Sequence, residues 1–549
     1  MEEAKKLKHL LWEIKDTLSD GTLHFSGEMK APHNTTCRIE TTVENPNVTS
    51  VNRADPEGRR LFAEMTSKAL EQGIIEPSHA PWSSNAVLVK KDGKTRMVID
   101  YRSLNKVTVK DAYPMPKVQD LMDLLKGTNW FTGIDCVQAF HQIPMADERS
   151  KDLTTFRGPG GGLFRYRYMP MGLVNAMAIW SRFIDNTMSD YQYDCVLCYA
   201  DDLLIYTKSE SVDDHIQDIR KVVARLRAHG IMIKASKFKL AFKEMPFLGV
   251  IITQNGIKPN PEKTEAISKL TAPCTLKQLR RILGIFAYYR KFIQHFSERA
   301  KPLYDLTKKN ANNKRDKGKI AMTEAALAAF EDLKKAISSA PIVLHYPDWD
   351  QPFEIHTDAS KEAVGAILCQ KIDGMERVIM YASKTLNEME RKYQVYEQEC
   401  LAVVWAAELF RKYIRNNRTI VLTDCAALQW LKSRKIGARV ARWILRLQEF
   451  DLDIRHRKGT DSANVNGLTR EPVLGENPYG EEPVERLYSK MQKKFEKSTP
   501  AEKTVLVVGE ERKEARRRYH TSTAKKIRRE LPDKSSLTSR RQRLLKECF

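Results

Sequence analysis

A chain of 549 residues, 42% hydrophobic and 30% charged, is long enough for about three or four domains and too apolar to be disordered throughout. Lysine and arginine number 92 against 70 acids, and the resulting net charge of +22 favours a polyanionic partner, nucleic acid before membrane. No run reaches the roughly 18 apolar residues of a membrane span, the charged first eight residues lack a signal-peptide core, and nine irregularly spaced cysteines suit a reducing intracellular setting.

Residues 1–54 are mixed in composition and read as a lead-in with little core of its own. A helix is predicted after Asp55-Pro56, with Leu61, Phe62, Met65, Ala69 and Leu70 on one side and Gly73 as its stop. Strands are predicted over 85–89 and 95–101, joined by the turn Lys91-Asp92-Gly93-Lys94. The β-prone run 130–134 ends on Asp135, where a carboxylate at a strand end is placed to project into a cleft, and 136–143 is compatible with a turn into a helix.

Two short apolar runs, 195–198 and 203–206, flank Tyr199-Ala200-Asp201-Asp202 and predict a hairpin with two acids at its tip. Alone, such a pair reads as a solvated turn. Two neighbouring aspartates repel each other, however, so a fold that holds them together calls for a cation, and hard carboxylate oxygens suit Mg²⁺. Cys195 and Cys198 form a CxxC with no second pair, so they read as small buried strand residues and not as a zinc site.

An amphipathic helix follows over 212–226, then a strand over 247–252. From Pro261 helices dominate, notably 276–296, whose Arg280, Arg281, Arg290 and Lys291 alternate with aromatics. That helix either lies along a nucleic-acid backbone or has a plain aromatic inner face and solvated outer face. A lysine-rich link is predicted over 310–319. A second α/β unit begins at Pro352, with strands over 353–357, 363–370, 377–381 and 419–422, a long helix over 387–413 and a basic helix over 438–450. Beyond Glu471 the pattern weakens into a basic tail, 512–543, that reads as a polyanion-binding segment.

Taken in order, the motifs resemble the reverse transcriptase and ribonuclease H region of gypsy-type long-terminal-repeat retrotransposons and retroviruses. The residues that carry the resemblance are 73–78, 87–93, 96–105, 131–135, Ala139-Phe140-His141-Gln142-Ile143, Met169-Pro170-Met171-Gly172-Leu173, the Tyr199–Asp202 box, Phe247-Leu248-Gly249, Thr357-Asp358-Ala359-Ser360, 396–402 and Thr423-Asp424. They cover roughly residues 55–470.

The resemblance implies an α+β polymerase right hand of fingers, palm and thumb, followed by an α/β ribonuclease H-like domain. The divisions it suggests are a lead-in (1–54), fingers and palm (55–252), a helical thumb (253–310), a connection (311–351), the ribonuclease H-like domain (352–473) and a basic tail (474–549). It implies that Asp135, Asp201 and Asp202 hold two Mg²⁺, with Mn²⁺ as the alternative, Asp135 and Asp201 as direct ligands and Asp202 in support. It places Lys90 and Arg96 over the incoming nucleotide, where a point charge and a planar fork suit phosphate oxygens. Phe140 corresponds to the aromatic that excludes a 2′-hydroxyl, and Met171 stands where relatives carry Phe or Gln against the nucleotide. In the second domain Asp358, Glu399 and Asp424 correspond to three acids of a two-metal ribonuclease site, Glu399 being preferred over its neighbour Glu397.

Two departures accompany this. The segment Asn175-Ala176-Met177-Ala178-Ile179-Trp180-Ser181 lacks the usual Pro and Gln, and Asn466 stands where relatives carry a fourth acid. An amide adds no negative charge, which predicts weakened metal binding and reduced RNA cleavage. The implied activity is RNA-directed DNA synthesis with attached ribonuclease H. Its partners would be an RNA template, a DNA primer, RNA–DNA hybrid and deoxynucleoside triphosphates, with no membrane and no oligomeric state specified. The location would be cytoplasmic and particle-associated, with nuclear access through the basic tail. The alternative from another class is a domesticated or decayed element protein that binds nucleic acid without catalysis. His520 and Cys548 are too few to make a zinc finger.

Overall fold

The computed structural model describes residues 2–19, 35–44, 55–91, 93–158, 161–310, 320–338, 343–423 and 438–456. The first predicted helix forms as Pro56–Glu71, with Asp55 accepting from the Gly58 amide and Pro56 in the first turn, where its missing N–H costs nothing. A five-stranded fingers sheet follows, in the order Ile75–Pro77, Leu163–Tyr166, Phe156–Arg157, Ser84–Lys91, Lys94–Asp100.

The palm sheet has four antiparallel strands in the order Lys239–Phe242, Trp130–Asp135, Asp202–Thr207, Val196–Tyr199. Phe131, Leu197 and Leu204 feed one core, while Ile134, Val196, Leu203 and Ile205 feed another, so the sheet is buried on both faces. That explains why its strands read as near-continuous apolar runs. Helix Val212–Ala228 covers one side of it. Cys195 and Cys198 are both buried free thiols, pushed up from the ordinary thiol range first by burial.

The lead-in differs from expectation. Helix Glu2–Glu13 buries Leu10 and Ile14 in the palm core and lies against helix Val212–Ala228 through Lys6–Asp213 and Glu13–Arg220 ion pairs. Leu18–Ser19 pairs in parallel with Ile233–Lys234. Its apolar positions find partners some 200 residues away, which local composition does not show.

The predicted strand over 247–252 is in fact a tight hairpin, Met245–Phe247 and Val250–Ile252. Leu248 and Gly249 both have positive φ (43° and 87°), the geometry of a two-residue turn that matches strand twist. The predicted helix over 276–296 stops at Tyr288, continues as a 3₁₀ turn Arg290–Phe292, and restarts as Phe296–Asn310 after His295 at φ 53°. Phe286, Tyr289 and Phe292 are core residues, and Lys291 turns inward to Gln119 at 3.3 Å, so this stretch is not a continuous basic face.

The second unit is a five-stranded sheet in the order Met375–Thr385, Ala363–Ile372, Phe353–Ala359, Thr419–Thr423, Leu452–His456, the last two pairings parallel. The helix predicted over 387–413 resolves into a 3₁₀ turn Glu390–Lys392, helix Val395–Leu409 and a short helix Arg411–Ile414. Phe353, Ile355, Val403 and Phe410 pack one face of this sheet, whereas Ile367, Cys369, Val378 and Tyr381 on other strands join Phe292 and Leu303 of the helical thumb and Phe330 of the connection in a single core. The link over 310–319 (beyond Asn310), the tail over 512–543, His520 and Cys548 lie outside the described residues. No helix among the described residues is long and apolar enough to cross a membrane.

Candidate active sites

Asp135 and Asp202 occupy directly opposite positions of two antiparallel strands. Opposite residues share a face, so their carboxylates rise from one side of the sheet. Asp201 stands next to them in the loop between Tyr199 and Asp202, themselves paired across the hairpin. The loop residue Ala200 has φ 55°, a left-handed conformation that costs a non-glycine residue on the order of 1 kcal/mol. That strain is held by Trp180, which is fully buried and donates its indole N–H to the Ala200 carbonyl at 2.7 Å. The same indole meets the Phe140 ring edge-on at 6.5 Å between centroids. Thus the segment 175–181, whose sequence departs from the usual form, supports the acidic turn from beneath.

Electrostatics mark the cluster as short of positive charge. The Asp202 carboxyl is held above the usual carboxylate range, first by burial and then by Asp201 and Asp135. Lys237 supplies one cation, its ammonium donating to Asp135 Oδ2 at 2.5 Å. Three converging carboxylates with one lysine drawn onto them form a donor set that fits a hard divalent cation such as Mg²⁺.

The strands bearing these acids are fastened from behind. His215 is completely buried between Thr132 Oγ1 and Thr207 Oγ1, both at 2.8 Å, one on each acid-bearing strand. Thr132 also accepts from the Ala241 amide at 3.0 Å, drawing the edge strand in. Burial lowers the His215 pKa to about 4, so the ring is neutral at physiological pH. A lone histidine in a helical pattern gives no sign of this role, because its partners come from two distant strands.

Phe140 is half-buried in the 3₁₀ turn Ala139–Gln142, which begins after Gln138 at φ 42°. Met171 is 59% exposed on a loop shaped by its neighbours. Asn105 donates to the Gly172 carbonyl at 2.8 Å and accepts from the Val174 amide at 2.9 Å. Asn175 accepts from the Asp111 amide at 3.0 Å and donates to the Val109 carbonyl at 2.8 Å. Gly172 sits at φ 96°, where a side chain would be strained. In the fingers hairpin Val89 pairs opposite Arg96 and Lys90 opposite Thr95, which sets the two cations on alternate faces of the ribbon. Arg96 shares its face with exposed Val87, Val89 and Val98.

In the second domain Asp358 lies exposed in strand Phe353–Ala359, with His295 Nδ1 3.9 Å from its Oδ2. Glu399 is buried on helix Val395–Leu409. Glu397 is committed elsewhere, receiving Arg439 at 3.0 Å and closing a capping box with Gln394. Asp424 and Asn466 lie outside the described residues.

Sequence reasoning also missed a polar anchor between the two domains. Asp123, buried on the palm side, accepts from Lys412 Nζ at 2.6 Å, Tyr413 Oη at 2.8 Å and Gln119 Nε2 at 2.8 Å. Its carboxyl is raised by burial, with Lys412 the main opposing influence.

A family model described as reverse transcriptase (RNA-dependent DNA polymerase) matches residues 88–252, and one described as an RNase H-like domain found in reverse transcriptase matches 348–450. The chain is 35% identical over 415 residues to the retrovirus-related Pol polyprotein from transposon opus of Drosophila melanogaster, a match covering 73% of this chain and 41% of that protein. It is 35% identical over 477 residues to the corresponding polyprotein from transposon 297 of the same fly, covering 85% and 43%. The chain therefore spans less than half the length of these relatives. A foamy viral protease–reverse transcriptase solved in complex with double-stranded DNA superimposes with a TM-score of 0.72 at 25% identity, over 83% of this chain and 79% of that one. Residues 88–252 therefore match a reverse transcriptase domain and residues 348–450 an RNase H-like domain, and the chain is similar over most of its length to part of retrovirus-related Pol polyproteins from transposons.

Proposed function

We propose that this chain copies RNA, and DNA, templates into DNA, and that its second domain cleaves the RNA of RNA–DNA hybrids. The single observation that carries the reading is the register pairing of Asp135 with Asp202 beside Asp201, three acids at one end of the central strand pair inside a reverse transcriptase domain. Bound there, two Mg²⁺ ions would make the primer 3′-hydroxyl a better nucleophile and neutralise charge on the triphosphate and departing pyrophosphate. Asp135 and Asp201 would hold the metal, with Asp202 in support.

The remaining residues bind and orient. Arg96 supplies donors for phosphate oxygens of a deoxynucleoside triphosphate, while Lys90, on the opposite face of the fingers hairpin, contributes its charge at longer range. The exposed valines around Arg96 offer apolar surface for the template or the nucleotide base. Phe140, braced by Trp180, would exclude a 2′-hydroxyl by bulk, and Met171 would line the nucleotide site. In the second domain Asp358, Glu399 and Asp424 would hold metal for hydrolysis, with Asn466 weakening that site. The RNA template, DNA primer and hybrid are the expected partners, in cytoplasmic particles with nuclear access through the basic tail.

Primer extension on an RNA template by the purified chain, with Asp201→Asn as control, tests the first activity. Extension abolished by the substitution supports the reading, and no template-dependent extension by the unaltered chain overturns it in favour of nucleic-acid binding alone. Hybrid cleavage by Asn466→Asp tests the second. The restored acid raises cleavage at millimolar Mg²⁺, and unchanged cleavage shows that Asn466 does not limit the site.

A further inference from the structure

The strand that carries Asp358 holds a second group of metal-type ligands, chemically unlike the acids. Glu354, His356 and Cys369 each present one ligand atom, all within 4.8 Å of one another. His356 Nε2 lies 3.4 Å from Cys369 Sγ and 3.5 Å from Glu354 Oε2, and Glu376 Oε1 is 3.9 Å from the same nitrogen. Strand register assembles the group. Glu354 and His356 are two residues apart and share a face, Cys369 pairs opposite Glu354, and Glu376 comes from the next strand.

We propose that these residues form a structural zinc site. Around a tetrahedral ion with Zn–S of about 2.3 Å and Zn–N and Zn–O of about 2.0 Å, neighbouring ligand atoms are about 3.3–3.5 Å apart, close to the 3.4 and 3.5 Å that separate His356 Nε2 from Cys369 Sγ and Glu354 Oε2, with all three atoms within 4.8 Å. A sulfur, an imidazole and a carboxylate select zinc or a similarly soft divalent ion over Mg²⁺. The Cys369 thiolate, the neutral His356 imidazole and the Glu354 and Glu376 carboxylates complete four ligands, a set that carries one negative charge in excess of Zn²⁺. On binding, the Cys369 thiol proton leaves to solvent. Cys369 is 1% exposed and the other three side chains 12–17%, so the ion is screened from water. Zinc there ties together strands Phe353–Ala359, Ala363–Ile372 and Met375–Thr385. Asp358 lies two residues beyond His356, about 7 Å along the strand. The site therefore stiffens the support of one catalytic acid without being part of that centre.

The test uses the full chain, stripped of metal by a chelator and returned to millimolar Mg²⁺ so that hard carboxylate sites are filled. Co²⁺ and then Zn²⁺ are titrated while absorption and thermal unfolding are followed. One equivalent of Co²⁺ gives a thiolate-to-cobalt charge-transfer band, Zn²⁺ displaces it, and Zn²⁺ raises Tm. Cys369→Ser loses the band and weakens Zn²⁺ binding by at least the roughly hundredfold that loss of even an outer-sphere partner costs. Cooperative thermal unfolding of metal-free Cys369→Ser, as for the metal-free native chain, shows that the variant is folded. Should it fail to fold, the less buried Glu354→Gln reports the same loss of Zn²⁺ affinity. No thiolate band in the native chain overturns the proposal and leaves His356 as an ion-pair partner of the two glutamates. A band of full strength in Cys369→Ser also overturns it, because another cysteine is then its source.

Discussion

Asp135 and Asp202 face each other across the central pair of palm strands, in register, at the point where the ladder ends. Because each is fixed by a strand, their separation is set by the sheet and not by a flexible loop. Only Asp201 depends on a turn. Replacing either strand acid by Asn keeps size and removes charge. We expect each substitution to lower the kcat of primer extension by on the order of 10²–10³-fold or more, the scale of losing one preorganised electrostatic group. Thermal stability should be unchanged or higher, since mutual repulsion among Asp135, Asp201 and Asp202 falls. Extension at near-native rate by Asp135→Asn is the contrary result.

Trp180 connects the turn that carries Asp201 to the ring of Phe140. Trp180→Phe keeps an aromatic in the core and removes the bond to the Ala200 carbonyl. The expected stability loss is about 1 kcal/mol, the net worth of one hydrogen bond. The loss in kcat should lie between about tenfold and the roughly hundredfold that a 1 Å misplacement costs, with KM for the deoxynucleotide nearly constant. Discrimination against ribonucleotides should also fall if Phe140 loses its brace. A drop in stability with kinetics untouched would reduce Trp180 to a packing residue.

His215 gives the stability of the palm a definite pH dependence. Its folded pKa is about 4, below the unfolded value of about 6.5. Between those two values the unfolded chain binds a proton that the folded chain refuses, so stability is full above about pH 6.5 and is lost as pH falls toward 4. The contribution is on the order of 3 kcal/mol at most. His141, half-buried and lowered to about 4 by desolvation, acts in the same direction. Denaturant unfolding at pH 7 and pH 5 should show the decline, and His215→Gln should flatten it while lowering stability at pH 7. An identical slope in the variant would assign the effect to other groups.

The hairpin bearing Asp201 and Asp202 was legible from its two short apolar runs, but joining that pair to Asp135 rested on the ordered resemblance, since an Asp-Asp turn alone reads as solvated. Tyr199 and Asp202 pair as the two flanking apolar runs predict, and the same local logic placed Pro56–Glu71. What could not be read depends on distant partners. His215 acquires its role from Thr132 and Thr207, and Trp180 from Ala200. The helix predicted over 276–296 ends early at Tyr288 because Phe292 and Phe296 are drawn into a core shared with the second domain, with Lys291 half-buried beside them. Periodicity registers apolar spacing but not the turn at His295 that redirects it.

The Asp123 anchor yields the last prediction, and it turns on the asymmetry of buried charge. Asp123 lies in the palm side of the molecule, while Lys412 and Tyr413 follow the long helix of the RNase H-like domain. Lys412→Met removes the main charge opposing burial of the carboxylate and leaves Asp123 with two neutral donors. Breaking a buried pair in this way costs roughly 3–5 kcal/mol, although the partial exposure of Lys412 places the expected loss at the lower end. The double variant Asp123→Asn/Lys412→Met removes the stranded charge together with its partner. It should therefore recover part of that loss and be more stable than Lys412→Met alone. Urea unfolding of the four members of this cycle measures the coupling directly. Strictly additive effects would mean that Lys412 contributes packing over the Tyr413 ring, 4.5 Å from its centroid, and no charge pairing.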